Sequence, residues 1–283
     1  MLTKSRLLDV FSKYNFMPLK RLGGNYLIDG NIRDKIIREC RLSKSDSVLE
    51  IGPGLGALTM DLAASGARVF AVEIDKKAYA ILNELAGGDY PNLKIFNKDI
   101  LKFDLEKIAQ GGRIKVAGNI PYYITTPIIE YLINNRHLLE SAVIMVQKEV
   151  ANRLLAGPGE KDYGSVSCFV RYFTRPEYIY TVKRASFFPM PDVDSSILRL
   201  TFLDKPSVSV NDEEKFFRIV RGSFNQRRKS IINSLARVEV LDMPKEKLSA
   251  ILKSVGIASS ARPETLGMIQ FAAISNAISQ SPD

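Results

Sequence analysis

The sequence predicts an α/β fold in which a mostly parallel sheet ends in antiparallel strands and is followed by a small all-helical domain. The first observation behind this prediction is an alternation, from Ser47 onward, of short apolar runs with helical patterns, which is typical of βα units. The second is a change near residue 205, after which apolar residues recur at helical spacing only. We therefore expect a parallel sheet with helices on both faces, followed in the chain by a helical segment.

The elements are predicted in chain order from these patterns. The N-terminal segment is basic and contains the pair Gly23 and Gly24, and a helical pattern then runs from Ile32 to Cys40. Strands are predicted for SVLEIG, ARVFAVEID, LKIFNKDI, IKVAGNI and AVIMVQ, with helical patterns between them. After Gly164 we predict antiparallel strands over CFVRYF, PEYIYTV and SSILRLTF that extend the same sheet. Several short helices are predicted from about residue 211 to 280.

The composition is that of a globular protein with an anionic partner. The chain has 283 residues, of which 46% are hydrophobic and 25% charged, enough for one large domain and a smaller one. Its 40 Lys and Arg against 31 Asp and Glu give a formal charge of +9, which favours nucleic acid as the partner. A generally basic protein without such a partner would have the same charge, so the motifs are needed to distinguish these two alternatives.

The sequence argues against several classes of protein. Cys40 and Cys168 are far apart and lack metal-ligand spacing, so we expect neither a disulfide framework nor a zinc site, and a reducing cytoplasm as the location. The first residues lack the apolar core of a signal peptide, and no apolar run approaches the roughly 18 residues of a membrane span. His137 is the only histidine and follows polar residues, which disfavours Ser-His-Asp catalysis.

A glycine loop and two acids indicate a cofactor site. Gly52, Gly54 and Gly56 lie between a predicted strand and a helix, in a spacing that departs from the dinucleotide fingerprint; alone, the loop would also suit a tight turn. Glu73 ends the next strand, where an acid can accept both hydroxyls of a ribose, while Asp75 is the competing acid and suits a helix N-cap better. Asp99 follows a third strand and can accept from an adenine amino group. This set fits S-adenosylmethionine better than a nicotinamide dinucleotide.

The tetrad from Asn119 to Tyr122 indicates the chemistry. The N6 amine of adenine is a poor nucleophile until hydrogen bonds to its protons favour a more tetrahedral nitrogen. The Asn119 side-chain carbonyl and the backbone carbonyl of Ile120 or Pro121 are suitable acceptors, and Tyr122 can stack on a base taken out of its helix. We therefore predict Asn119, Pro121 and Tyr122 as catalytic residues. A simple turn at a strand end is the alternative.

Two further segments are candidates for contacts with a nucleic acid. Phe187 and Phe188 lie in a proline-stiffened loop, where they are predicted to stack on the target base; core packing of both rings is the alternative. The stretch from residue 218 to 237 is basic and has no acid, so phosphate contact is predicted, with a solvated helix face as the alternative. The predicted RNA-binding residues are Arg221, Arg227, Arg228 and Lys229.

Taken together, these segments resemble the bacterial small-subunit rRNA adenine dimethyltransferases, the family whose loss confers kasugamycin resistance. The resemblance covers nearly the whole chain. Gly24 and Tyr123 depart from the Gln and Asn that the family usually has at those positions. The resemblance is carried by LGGNYLID, LEIGPGLGALT, VEID, NKDIL, NIPYYITTP, FFPMPDVDSSILRL, FNQRRKSIINSL and RPETL.

The resemblance implies a Rossmann-like class I methyltransferase sheet and S-adenosyl-L-methionine as the cofactor. It implies dimethylation, at N6, of two adjacent adenosines in the 3'-terminal stem-loop of 16S rRNA, within a pre-assembled small subunit. We expect a monomer with no metal and no membrane contact. Carried over by position, the resemblance implies a cofactor pocket lined by Asn25, Leu27, Gly52, Glu73, Asp99 and Asn119.

The predicted organisation has three parts: a basic cofactor cap over residues 1–35, a catalytic domain over 36–204 and an RNA-binding helical domain over 205–283. Three competing functions remain. Macrolide-resistance methyltransferases of large-subunit rRNA share the tetrad, although the RRK segment and the FFP loop fit the small-subunit family better. A ribosome-assembly or transcription-factor scaffold without activity is disfavoured by the intact site residues. A nicotinamide oxidoreductase is disfavoured by the glycine spacing.

Overall fold

The structure is a computed structural model that describes residues 3–18, 24–226, 229–238, 241 and 243–280. Its contacts divide the chain into two compact units. The first comprises residues 1–151 with 176–202, and the second comprises residues 152–175 with 203–283. The segment 152–175, which the sequence division places with the catalytic domain, thus groups with the helical unit, and the functional division into three parts stays a prediction.

A seven-stranded sheet forms the centre of the first unit. The strands of the described residues are β1 (Tyr26–Leu27), β2 (Ser47–Ile51), β3 (Arg68–Glu73), β4 (Leu93–Asn97), β5 (Ile114–Asn119), β6 (Leu139–Gln147), β7 (Thr174–Val182), β8 (Phe187–Phe188) and β9 (Ser195–Phe202). The order in the seven-stranded sheet is β4-β3-β2-β5-β6-β9-β7, and β1 and β8 pair separately in a two-stranded sheet.

The strand directions place the functional segments at one edge of the sheet. The pairs β2·β3, β2·β5, β3·β4 and β5·β6 are parallel, so the carboxyl ends of β2 to β5 lie along the same edge. β9 is antiparallel to β6, so Ser195, at the start of β9, is opposite Gln147, at the end of β6. The predicted parallel sheet with an antiparallel extension is therefore confirmed for these strands.

Helices connect the strands and fill the second unit. Asp29 caps α2 by accepting from the Asn31 backbone N–H, and Asp75 caps α4 by accepting from that of Lys77, which confirms the cap predicted for Asp75. The helices of the described residues are α1 (Lys4–Lys13), α2 (Gly30–Cys40), α3 (Thr59–Ala64), α4 (Lys76–Ala86), α5 (Glu106–Ala109), α6 (Thr125–Asn134), α7 (Lys148–Leu155), α8 (Ser165–Phe173), α9 (Glu213–Phe224), α10 (Ile231–Leu235), α11 (Lys245–Ser254) and α12 (Met268–Gln280).

One predicted strand is wrong. The run CFVRYF, residues 168–173, lies in α8 and is helical. Gly164 precedes this helix as its N-cap residue, and its backbone N–H donates to the Ser167 hydroxyl at 3.1 Å. Within the helix, Phe169 and Tyr172 both pack edge-on against Phe217 of α9. A short apolar run has no decisive period, and this aromatic packing against another helix overrides its β propensity.

The buried strands of the sheet hold the positions from which the site loops start. All five residues of β2 are buried, and Val48 and Leu49 have no exposed surface. Such a strand, covered on both faces, is fixed by close packing and by hydrogen bonds to its neighbours. The loops that leave the carboxyl ends of β2, β3 and β5 therefore start from fixed points.

Candidate active site

A pocket lies at the carboxyl ends of β2, β3 and β5, next to the turn that follows β4. Open α/β sheets bind ligands at this edge. Pro121, Tyr123 and Ile124, which follow β5, complete one wall. The pocket brings together every residue that the sequence assigns to the cofactor, namely Asn25, Leu27, Gly52, Glu73, Asp99 and Asn119.

The glycine loop after β2 lies close to the tetrad from Asn119 to Tyr122. Gly52 has φ +66° and Gly54 has φ +56°, a left-handed conformation that disfavours residues with a Cβ. A Cβ at Gly52 would lie 3.8 Å from Cδ of Pro121, and one at Gly54 would lie 2.9 Å from Cε1 of Tyr26. The loop therefore requires glycine at position 54 for both conformation and space, and at position 52 for conformation.

Glu73 connects the end of β3 to the glycine loop. Its Oε2 accepts the Gly54 backbone N–H at 2.9 Å, and its Oε1 accepts the Asp75 backbone N–H at 2.8 Å. The side chain is buried, and burial raises the pKa of its carboxyl while the two backbone N–H groups oppose that rise. Each carboxylate oxygen can accept a second donor, so Glu73 retains capacity for two hydroxyl groups.

Glu50 is a second acid on the pocket wall and is buried in the middle of the sheet. It is 2% exposed, and its Oε2 has no hydrogen-bond partner among the described residues. Burial raises the pKa of this carboxyl to about 8, and the nearby charge of Glu73 adds to the rise. At neutral pH the Glu50 carboxyl is therefore largely protonated and can donate a hydrogen bond.

Asp99 lies in the turn after β4. Its Oδ1 accepts the Leu101 backbone N–H at 3.0 Å and so caps a short 3₁₀ helix, Ile100–Lys102. The strand end before it is held in place because the Asn97 side-chain amide donates to the Glu73 backbone carbonyl at 2.9 Å. Asp99 and Glu73 are thus fixed to each other through the backbone, and Asp99 has further acceptor capacity toward a ligand.

Asn119 ends β5 and is oriented by the segment before β1. Its Nδ2 donates to the Asn25 backbone carbonyl at 3.2 Å. The backbone N–H of Ile120 donates to the Met145 carbonyl at 3.0 Å, which extends the pairing with β6 by one residue. The bond to Asn25 sets the orientation of the Asn119 amide, whose Oδ1 is the atom that can accept from a substrate amine.

The turn after Asn119 fixes the remaining catalytic candidates. The Pro121 carbonyl accepts the Ile124 backbone N–H at 3.1 Å and the Thr125 hydroxyl at 3.3 Å. Pro121 lines the pocket between Gly52 and Asn119. Tyr122 is half-buried and lies outside the pocket lining, and its hydroxyl oxygen is 2.6 Å from the Ser195 Oγ.

The two phenylalanines of the proline-stiffened loop lie outside the pocket lining. Phe187 is 2% exposed and belongs to the core beneath the sheet, paired with Leu27 across β1 and β8. Phe188 is partly buried, faces the ring of Phe11 in α1 and has the Lys4 ammonium 5.2 Å from its ring centre. This placement corresponds to the core-packing alternative for Phe187, whose ring has no free face for a base.

The basic candidates for RNA binding lie in the second unit. Arg221 is exposed in the last turn of α9, and Lys229 is exposed in the segment before α10. Arg218 is paired with Glu214 one turn earlier in α9. Arg227 and Arg228 are outside the described residues.

Several residues that line the pocket are not among the cofactor-binding and catalytic residues predicted from the sequence. The signal for Glu50 was present, since it is the one acid within the apolar strand SVLEI. Ile74 is 47% exposed beside Glu73 and offers an apolar surface within the pocket, and Tyr123 is 54% exposed on the wall after β5. Exposure of an apolar side chain at a strand end depends on the fold, so no pattern in the sequence indicates it.

The described residues contain no group of His, Cys, Asp and Glu that could hold a metal ion. Within the same ranges, no helix is both long enough and apolar enough to cross a membrane. The pocket lining includes Lys98, Tyr26 and Tyr123 besides the residues with carboxyl, amide and backbone groups described above. Such a set can bind hydroxyl and amino groups of a ligand and can orient an amine at Asn119.

Comparison with protein families gives one match over most of the chain. Residues 16–280 match the family described as ribosomal RNA adenine dimethylase. A protein of Moorella thermoacetica, named ribosomal RNA small subunit methyltransferase A, is 45% identical over 286 aligned positions, covering 98% of each chain.

Solved structures give related similarities. A dimethyladenosine transferase from Plasmodium falciparum superposes with a TM-score of 0.76 at 28% identity, covering 88% of this chain and 95% of that one. The 23S rRNA methyltransferase ErmE superposes with a TM-score of 0.72 at 26% identity, covering 90% of this chain and all of the other.

Proposed function

The chain belongs to the ribosomal RNA adenine dimethylase family, and we propose that it transfers methyl groups from S-adenosylmethionine to N6 of two adjacent adenosines in the 3'-terminal stem-loop of 16S rRNA. The relative from Moorella thermoacetica supports the small subunit as the source of the substrate. The observation that carries the proposal is the placement of Asn119 in one pocket with Gly52, Glu73 and Asp99. A base oriented by Asn119 would meet a cofactor held by the other three.

The pocket residues fit the proposed cofactor. Glu73 retains acceptor capacity for the two ribose hydroxyls, and Asp99 retains it for the adenine amine. Ile74, exposed between them in the chain, offers an apolar surface for a purine ring. The unpartnered Oε2 of Glu50 is a further polar contact within the wall. When bound, S-adenosylmethionine supplies an electrophilic methyl group, so no side chain has to act as a nucleophile.

The chain's own residues prepare the amine. Asn119 Oδ1 accepts a hydrogen bond from one N6–H, in the amide orientation that the bond from its Nδ2 to Asn25 sets. For the second proton the Ile120 carbonyl is favoured over that of Pro121, which already accepts from Ile124 and Thr125. Two acceptors localise the nitrogen lone pair, and the proton of the product leaves to water. The lone histidine, His137, has no part in this scheme.

Binding of the RNA rests on charge in this proposal. The net charge of +9 gives a sequence-independent attraction to phosphates, and Arg221 and Lys229 are exposed to make such contacts. Arg227 and Arg228 are proposed for the same role from the sequence. We further propose that the enzyme acts as a monomer on a pre-assembled small subunit, in the cytoplasm where ribosomes are assembled.

The test is tritiated methyl transfer from S-adenosylmethionine to small subunits that lack the modification, followed by mapping of the labelled nucleotides. Separated large-subunit precursors serve as the matched alternative substrate, because ErmE is a 23S rRNA methyltransferase. Label in two adjacent adenosines near the 3' end of 16S rRNA supports the proposal. Label only in the large subunit, or no transfer, would overturn it.

A further inference from the structure

The Tyr122 side chain is held at its far end by a residue from another strand. The oxygens of its hydroxyl and of the Ser195 hydroxyl are 2.6 Å apart, a short hydrogen bond. The two residues are 73 positions apart in the sequence, so the contact exists only because β9 lies beside β6 and β6 beside β5. The bond thus connects the catalytic turn to the antiparallel part of the sheet.

Ser195 is a fixed anchor. It has no exposed surface and is the first residue of β9, opposite Gln147. On its other side, the Asp194 carbonyl accepts the Lys148 backbone N–H at 3.0 Å. A hydroxyl in such a place is costly to bury without a partner, and Tyr122 provides that partner.

The backbone of Tyr122 is also fixed, so the remaining motion is rotation of its side chain. The Thr125 hydroxyl lies 3.3 Å from the carbonyl oxygens of both Pro121 and Tyr122 and so closes the turn. With the backbone held, rotation about the side-chain bonds is what could move the ring. The hydrogen bond between the Tyr122 and Ser195 hydroxyls restricts that rotation by fixing the hydroxyl end of the ring.

We propose that Ser195 is a positioning residue for methyl transfer, which acts by holding the ring of Tyr122 in one orientation beside the target base. This inference rests on the proposed function. It also assigns the Tyr122 hydroxyl: since this group is bonded to Ser195, it orients the ring and does not act on the amine. A fixed ring matters more here than in a single transfer, because each adenosine must be presented twice.

The test is a double-mutant cycle with Ser195→Ala, Tyr122→Phe and the combination of both. Single-turnover methylation of undermethylated small subunits is measured at saturating cofactor and substrate. We expect each single variant to slow transfer by about three- to tenfold, the range of one net hydrogen bond. The double variant should be no slower than the slower single variant, because both changes remove the same bond. Cofactor affinity should stay at the parental value.

Ser196→Ala is the matched control. Ser196 is also buried, at 1% exposed, but as the next residue in β9 its side chain lies on the opposite face of the strand. This variant should keep the parental rate. A parental rate for Ser195→Ala, or a double variant as slow as the product of the two single effects, would overturn the proposal.

A second measurement does not depend on activity. The chain has 11 tyrosines, and with ring-labelled tyrosine the NMR signal of Tyr122 is the one missing from Tyr122→Phe. Ser195→Ala should shift or broaden this signal, and Ser196→Ala should not. An unchanged Tyr122 signal in Ser195→Ala would overturn the inference. Failure of the parental protein to methylate rRNA would instead refute the proposed function, while this measurement still reports on the bond.

Discussion

The Oε2 atom of Glu73 accepts the backbone N–H of Gly54 at 2.9 Å, so the acid that ends β3 is bonded directly to the glycine loop that follows β2. The same carboxylate accepts the Asp75 N–H at the start of α4. The Glu73 side chain therefore holds the loop after β2 and the loop after β3 at a fixed distance from each other. Its replacement should affect the shape of the pocket as well as the contact to a ribose.

Glu73→Ala should weaken binding of S-adenosylmethionine by about ten- to a hundredfold, because a charge-assisted acceptor worth about 1.5 to 3 kcal/mol is lost. Titration calorimetry measures this directly. Asp75→Ser is the matched control, since serine keeps the cap of α4 while removing a neighbouring carboxylate. Parental affinity in a folded Glu73→Ala protein would refute the ribose assignment.

Glu50 should make the protein less stable as pH rises. Its pKa is about 8 in the folded chain and about 4.3 in an unfolded one, so only the folded state holds this proton between those values. The free energy of unfolding should therefore fall by up to about 1.4 kcal/mol per pH unit across that window through this group.

Glu50→Gln removes the titrating group and should flatten this dependence. Urea unfolding of parent and variant at pH 5.5, 6.5 and 7.5 compares the two slopes, and groups that do not interact with Glu50 cancel in the comparison. The variant should gain stability relative to the parent as pH rises. A constant difference between the two proteins at all three pH values would mean that Glu50 is ionised in the folded state.

Tyr122→Ala should slow methyl transfer more than Tyr122→Phe. The alanine variant loses base stacking, worth about 1 to 3 kcal/mol, whereas phenylalanine keeps the ring and loses only the bond to Ser195. Single-turnover rates at saturating cofactor separate the two. Equal rates for both variants would shift the role of Tyr122 from its ring to its hydroxyl.

The basic segment before α10 should contribute to RNA affinity through phosphates. Joint replacement of Arg227, Arg228 and Lys229 by Ala should weaken RNA binding and leave cofactor affinity unchanged. The slope of log K against the logarithm of the salt concentration should become shallower by about 0.7 to 0.9 for each phosphate that is no longer bound. A control with the same reduction of charge replaces three exposed lysines of the first unit, Lys44, Lys94 and Lys107. Salt slopes that match in the parent and the basic-segment variant would exclude phosphate binding by this segment.

The sequence predicted the parts of the site that depend on strand ends. Glu73, Asp99 and Asn119 each end or follow an apolar run, and parallel strands bring such ends to one edge. Contacts between residues far apart in the sequence could not be predicted, because no spacing indicates that Ser195 contacts Tyr122 or that Asn25 orients Asn119.

Two segments differ from what their local composition suggests. The run CFVRYF has apolar residues at every position but one, and in the structure it is helical, with Phe169 and Tyr172 packed against Phe217. Phe187 lies in a proline-rich loop, and its stacking on a base stays a prediction, while its ring is buried and the residue pairs with Leu27 across β1 and β8. In both cases tertiary packing decides what local composition leaves open.

Asn119 is the central residue of the proposed reaction: its Oδ1 is proposed to accept from the target amine while its Nδ2 donates to Asn25. A transition-state hydrogen bond of roughly 2.7 kcal/mol corresponds to about a hundredfold in rate. Asn83→Ala, an exposed amide in α4, is the control for loss of an asparagine.

The decisive measurement is single-turnover methylation of undermethylated small subunits by Asn119→Ala at saturating S-adenosylmethionine, with circular dichroism to confirm the fold. We expect a rate lower than that of the parent and of Asn83→Ala by at least about a hundredfold. A folded Asn119→Ala protein that methylates at close to the parental rate would contradict it.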